Sequence, residues 1–163
     1  MILVTVGTQL PFPRLTDAVA RWARDAGERT VIQSGAPGGG AADGVEIRQS
    51  IPPGEFERLF ADARVVVGHA GIGTILTAQR IGRPLVLMPR KAALGEHRND
   101  HQVATARHVA GRPGLYVAED EAALAALLGR DDLEPARPGA GEARAALIRR
   151  VGDFLAGAPG GTG

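Results

Sequence analysis

Short β-branched runs alternate along this chain with stripes of apolar residues at helical spacing. Ile2-Leu3-Val4-Thr5-Val6 has the pattern of a strand and ends at Gly7-Thr8. Beyond Pro11 and Pro13, residues Leu15, Ala18, Val19, Trp22 and Ala26 share one helical face, with Trp22 expected in the core, and the stripe stops at Gly27. Thr30 to Gln33 and Val45 to Ser50 read as the second and third strands, and Gly35 to Gly44 between them as a flexible loop. After Ile51-Pro52-Pro53-Gly54, residues Phe56, Leu59, Phe60 and Ala63 mark a short amphipathic helix. A fourth strand, Arg64 to Val67, runs into Gly68-His69-Ala70-Gly71-Ile72-Gly73-Thr74 and then into a helix ending at Gly82-Arg83-Pro84. Leu85 to Met88 is a fifth strand and Pro89 to His97 an irregular polar loop, with Asn99 the expected N-cap of a helix through Val109. Leu115 to Val117 gives a sixth strand, and Leu124, Leu127 and Leu128 a helix. Leu147, Ile148, Val151, Phe154 and Leu155 indicate a last helix beyond Pro135, Pro138 and Gly139.

Strands alternating with helices predict an α/β fold, a Rossmann-like parallel sheet of about six strands with helices on both faces. The usual order 3-2-1-4-5-6 sets the first and fourth strands side by side where the winding reverses. Gly7-Thr8 and Gly68 to Thr74 then face each other across the carboxyl-end crevice in which such sheets bind nucleotides. A glycine turn opening onto a helix offers backbone N–H groups and a helix dipole to a phosphate. The spacing is neither that of a P-loop nor a full G-x-G-x-x-G, and no serine stands between Gly68 and Gly71 to form a hydrolase nucleophile elbow. Glycines that merely supply positive φ are the bland alternative.

Composition narrows this only by exclusion. The 163 residues suit one domain, expected over 1–157 with a tail at 158–163, and a net charge of +1 gives no sign of nucleic-acid binding. The absence of cysteine removes disulfides, thiolate metal sites and cysteine nucleophiles. No apolar run approaches the ~20 residues of a membrane span, and the chain opens directly on strand-like sequence, so a cytoplasmic location is expected.

Four segments taken together carry a family resemblance: Val4 to Thr8, His69 to Thr74, Gly82 to Val86 and Gly95 to Gln102. They resemble the family 28 glycosyltransferase C-terminal domain, in particular the small soluble subunits of two-part sugar transferases of the PssE-type exopolysaccharide and dolichol-pathway N-acetylglucosaminyltransferase kinds. The resemblance extends to about residue 128. It implies the C-terminal, nucleotide-sugar half of a GT-B fold. With the first strand starting at residue 2, it also implies a separate membrane-anchored partner that presents a lipid-linked sugar acceptor and recruits this chain to the inner face of the membrane. The implied substrate is a UDP-sugar, with no cofactor and no metal.

Carried over residue by residue, the resemblance assigns the diphosphate to backbone around Ala70, Gly71, Gly73 and Thr74, with the Thr74 hydroxyl as an added donor. It gives His69 a catalytic contact with the leaving-group phosphate and makes Gly7 and Thr8 the opposite wall. The Ile51 backbone would read uracil, and His101 and Gln102 would hydrogen-bond the donor sugar, with Glu96 beside them in the site. Thr77 stands where relatives carry a ribose-binding glutamate and offers a hydroxyl without a bidentate carboxylate.

Other readings compete for some of these residues. His97 and His101 are spaced as two helical metal ligands would be, but no third ligand recurs nearby. Arg90, Glu96 and His97 read either as a solvated loop or as a sugar- or partner-facing one, His108 as a bystander, and Arg144, Arg149 and Arg150 as a solvated helix face. No general base is evident, which leaves open a noncatalytic nucleotide-sugar-binding module. An epimerase-like enzyme would want carboxylates along the crevice, and none is evident there.

Overall fold

The structure, a computed structural model, describes residues 1–8 and 10–138. The expected last helix, the arginines at 144, 149 and 150, and the 158–163 tail lie outside them. Seven strands form one sheet in the order β3-β4-β2-β1-β5-β6-β7. They are β1 (Ile2–Thr5), β2 (Thr30–Gln33), β3 (Gly40–Ala42), β4 (Val45–Arg48), β5 (Val65–Gly68), β6 (Leu85–Leu87) and β7 (Leu115–Val117). The helices are α1 (Pro13–Ala26), α2 (Pro53–Asp62), α3 (Ile72–Ile81), α4 (His101–Val109) and α5 (Glu121–Leu128), with a 3-10 turn at Ala92–Leu94.

Every pairing is parallel except that of β3 with β4. Without β3, the order is the predicted one. The six parallel strands agree with the expected sheet, and the added antiparallel strand corrects the reading of Gly35 to Gly44 as a flexible loop. Asp43 and Gly44, at φ 52° and 78°, form a two-residue turn that folds Gly40–Ala42 back on Val45–Arg48.

Alternation along the central strands divides the core. Ile2, Val4, Val65, Val67 and Val86 face α1 and α5, where they meet Leu15, Val19, Leu124 and Leu128. Leu3, Val31, Val66, Leu85 and Leu87 face the other way, against Phe60, Ile75, Ala78 and Val109 of α2, α3 and α4. Apolar residues on both faces are what a covered parallel sheet requires. Trp22 is half-buried at the edge of the first core instead of inside it. Helix ends follow the glycines: Gly27 and Gly82 close α1 and α3 in the left-handed conformation, where only glycine carries no Cβ penalty.

Candidate functional site

Two turns meet at the carboxyl edge of the sheet because β1 and β5 are hydrogen-bonded neighbours, with Thr5 opposite Gly68. The buried Thr5 hydroxyl donates to Gln33 Oε1 at 2.8 Å and accepts from the Gly7 N–H at 3.3 Å, starting the turn. Gly7 bends the chain at φ 80°, and Thr8 is exposed. Across the crevice, Gly68 is in a tight place, since a Cβ there would lie 3.3 Å from both the Thr5 carbonyl oxygen and the Thr74 methyl. Gly71 is the N-cap of α3, and no side chain caps the helix, so its first N–H groups have no side-chain acceptor. Ile72 and Gly73 are exposed, and open space surrounds the position of a Cβ on Gly73. Gly68, Gly71 and Gly73 all have ordinary φ, so none of them is there to supply a left-handed turn.

The His69 imidazole is wedged between the two turns. A Cβ on Gly7 would lie 2.8 Å from its Cε1, and one on Gly71 would overlap the ring. Its Nδ1 is buried without a hydrogen-bond partner. Burial, then the positive charge of Arg90, pushes its pKa down to about 4, against the opposing pull of the Thr5 carbonyl; His101 and His97 lower it further. The ring is therefore neutral near pH 7, at the mouth of the crevice and beside an uncapped helix N-terminus.

The third wall comes from the segment between β6 and α4. Asp100, one residue later than expected, is the N-cap of α4. Its carboxylate is drawn off to the Ala92 N–H at 2.8 Å, while Asn99 Oδ1 accepts from the His101 N–H at 3.4 Å and touches the His101 ring. The His97 and His101 rings meet edge to face with centroids 4.4 Å apart. Burial and then His97 lower the His101 pKa. Gln102 is buried, and its Oε1 accepts from the Arg90 N–H at 3.1 Å, which leaves its amide NH₂ as the group available to a ligand. Glu96 is half-buried and engaged by Arg14 at 2.5 and 2.8 Å and by the Lys91 N–H at 2.9 Å. Burial raises its pKa, and Arg14 and the Lys91 N–H outweigh that to hold it below the usual carboxylate value.

Gly7, Thr8, His69, Ala70, Gly71, Gly73 and Thr74 thus converge at the β1–β5 edge. Ile51 lies apart, beyond the end of β4 and two strands from β1, with its side chain in the core beside Phe60. The Thr77 hydroxyl donates to the Gly73 carbonyl at 2.9 Å, so only its lone pairs remain for a ligand. Arg90 corrects the solvated-loop reading: it is 2% exposed and its guanidinium donates to three main-chain carbonyls. His108 is exposed and hydrogen-bonded to Arg112 at 3.0 Å, apart from the two turns. Among the described residues no group of three His, Asp or Glu side chains is arranged to hold a metal ion.

A parallel sheet whose crevice opens at the winding reversal, with an uncapped helix N-terminus on one wall, is the architecture of nucleotide-binding α/β proteins. The chain belongs to the glycosyltransferase family 28 C-terminal domain, which it matches over residues 1–149. Its fold is similar to that of ALG13 in solution, at 18% identity and a TM-score of 0.61, covering 90% of this chain and 93% of that one. It is also similar to the calicheamicin glycosyltransferase CalG4 (23% identity, TM-score 0.60, 96% of this chain and 39% of that one). A third likeness is to the glycosyltransferase SnogD from Streptomyces nogalater (20% identity, TM-score 0.51, 97% and 38%). This chain therefore spans about two-fifths of the length of the two latter enzymes, and the fold it shares with them is one half of a GT-B glycosyltransferase. No helix among the described residues is long and apolar enough to cross a membrane.

Proposed function

We propose that this chain is the donor-binding half of a two-component glycosyltransferase that moves a hexose from a UDP-sugar to a lipid-linked acceptor, as in polysaccharide or glycan synthesis. The observation that carries the reading is the meeting of the Gly7–Thr8 turn and the His69–Thr74 turn at the carboxyl ends of adjacent strands, with α3 uncapped between them. Diphosphate is the chemistry that such an N-terminus favours. The acceptor hydroxyl attacks the anomeric carbon, the bond from that carbon to the diphosphate oxygen breaks, and UDP departs with the bonding pair. Its growing negative charge falls on the α3 N–H groups and on a neutral His69 able to donate a hydrogen bond or take up a proton. The hydroxyl proton passes to a base supplied by a membrane-anchored acceptor-binding partner.

One observation favours a second reading, a noncatalytic nucleotide-sugar-binding module. Glu96, the carboxylate in the proposed site, is already engaged by Arg14 and the Lys91 N–H and is poorly placed to act as a base. Calorimetric titration of the chain with UDP, UDP-hexoses and adenine nucleotides tests the shared part, with weak uridine-selective binding expected and an adenine preference sinking it. Transfer assays with and without the partner separate the two readings. Turnover only with both chains supports the first, none in either arm supports the second, and efficient transfer by this chain alone overturns the partner requirement.

A further inference from the structure

Arg90 is an expensive residue where it stands. Its guanidinium is buried, and among the described residues no carboxylate pairs with it; Glu96 is already taken by Arg14. An unneutralised buried charge costs free energy that an apolar side chain of similar size would avoid. What the guanidinium does instead is gather the turn that follows β1. One nitrogen donates to the Pro11 carbonyl at 2.7 Å, and another to the Leu10 and Val6 carbonyls at 2.6 and 3.2 Å. The Phe12 ring lies 4.5 Å from the guanidinium carbon. A planar fork satisfies three such acceptors at once, which an ammonium does less well.

The same segment is tied twice more. The Arg90 N–H is held by Gln102 of α4, and Arg14 of α1 bridges Glu96 and the Pro89 carbonyl, the latter at 3.1 Å. The turn so fastened contains Gly7, against which the His69 ring is packed.

We propose that Arg90 is a positioning residue of the donor crevice: it fastens the turn after β1 so that Gly7 seats the His69 ring, and it keeps a positive charge with no ion-pair partner of its own among the described residues within electrostatic reach of that ring for an incoming diphosphate. The second half rests on the nucleotide-sugar reading; the first does not. Arg90→Lys keeps the charge and loses the fork, whereas Arg90→Gln loses both, so the pair separates positioning from charge. Three readouts apply to the full chain: amide hydrogen exchange at Gly7, whose N–H is held by the Thr5 hydroxyl, the His69 ring titration by NMR, and UDP affinity by calorimetry. With Arg90→Lys, exchange at Gly7 should quicken at least about tenfold and UDP affinity fall about tenfold, while His69 still titrates low. With Arg90→Gln the turn should loosen equally, the His69 titration should rise above that of Arg90→Lys while burial still holds it below the ordinary histidine range, and UDP affinity should fall further.

Parental exchange at the turn in Arg90→Lys overturns the clamp even if Arg90→Gln fails to fold. A loosened turn with parental UDP affinity overturns the role in donor binding. If the parent chain binds no UDP, the functional reading falls instead, and the exchange arm alone decides the clamp.

Discussion

In the two glycine-rich stretches of this chain, glycine answers two different demands, a turn of the backbone and a lack of space. Between β2 and β4, Gly38 and Gly44 take φ values of 91° and 78°, and a Cβ on either would meet nothing within 4 Å. At those two positions glycine serves the backbone, which must turn sharply to return β3 against β4, whereas Gly39 between them has ordinary φ and a Cβ on it would clash with the Ile47 carbonyl. Between β5 and α3 the backbone is ordinary and the constraint is space: Gly71 yields to the His69 ring, and Gly68 to the neighbouring strand. Gly73 has neither constraint, with no unusual φ and no protein neighbour. What distinguishes it is an open approach to the first turn of α3.

The sharpest way to break this contrast is Gly73→Val. A branched side chain placed in that approach should cut UDP-sugar affinity about a hundredfold or more, on the order of 2.7 kcal/mol. The melting temperature should stay within a few degrees of the parent, because the position is exposed and valine suits a helix no worse than glycine does. A folded variant that binds with parental affinity would remove the phosphate from this turn.

Gly71→Ala should act on both properties at once. Its Cβ must displace the His69 imidazole, an overpacking cost of about 1–3 kcal/mol in stability. Paired melts and titrations should show that loss together with roughly tenfold weaker UDP binding. An unchanged melt would mean that the ring moves aside freely.

His69 also gives the comparison a pH axis. With its folded pKa pushed down to about 4 from 6.5, the unfolded chain binds the extra proton between those values, so stability falls as the pH drops through that window. The contribution is about 3 kcal/mol at most. It should appear as a steeper loss of melting temperature from pH 6.5 to 4 in the parent than in His69→Gln. Glu28 and Glu96, whose pKa values are also lowered, act in both proteins and cancel in the difference. Parallel curves would show that the ring is not desolvated. The smallest effect belongs to the other stretch: Gly40→Ala, with open space and ordinary φ, should change stability by no more than about 0.5 kcal/mol and leave UDP-sugar affinity unaltered.

Much of the sheet was legible because parallel strands buried on both faces write themselves as unbroken apolar runs, such as Ile2 to Val6 and Val65 to Val67. β3 was not, since Gly40-Ala41-Ala42 has no strand propensity, although Asp43-Gly44 was a hairpin signal in plain view. At the crevice, the turns could be read from glycine spacing and strand order. Arg90 could not, because nothing local distinguishes an arginine that will be surrounded by carbonyls 79 to 84 residues away from one in solvent. Glu96 was legible as a polar residue near the site and illegible as half of an ion pair with Arg14, for the same reason of sequence distance.

The position of β1 also has a bearing on how the chain comes to exist. β1 lies at the centre of the finished sheet and is synthesised before both strands that flank it: Ile2 pairs with Thr30 on one side and with Val65 on the other, and all four β1 residues are buried. Until β5 has been synthesised, one full edge of that apolar strand has no partner. At about 5–20 residues per second this interval lasts several seconds. Nascent chains stalled before residue 65 should therefore be good clients for holding chaperones, and those stalled well beyond the emergence of β5 poor ones.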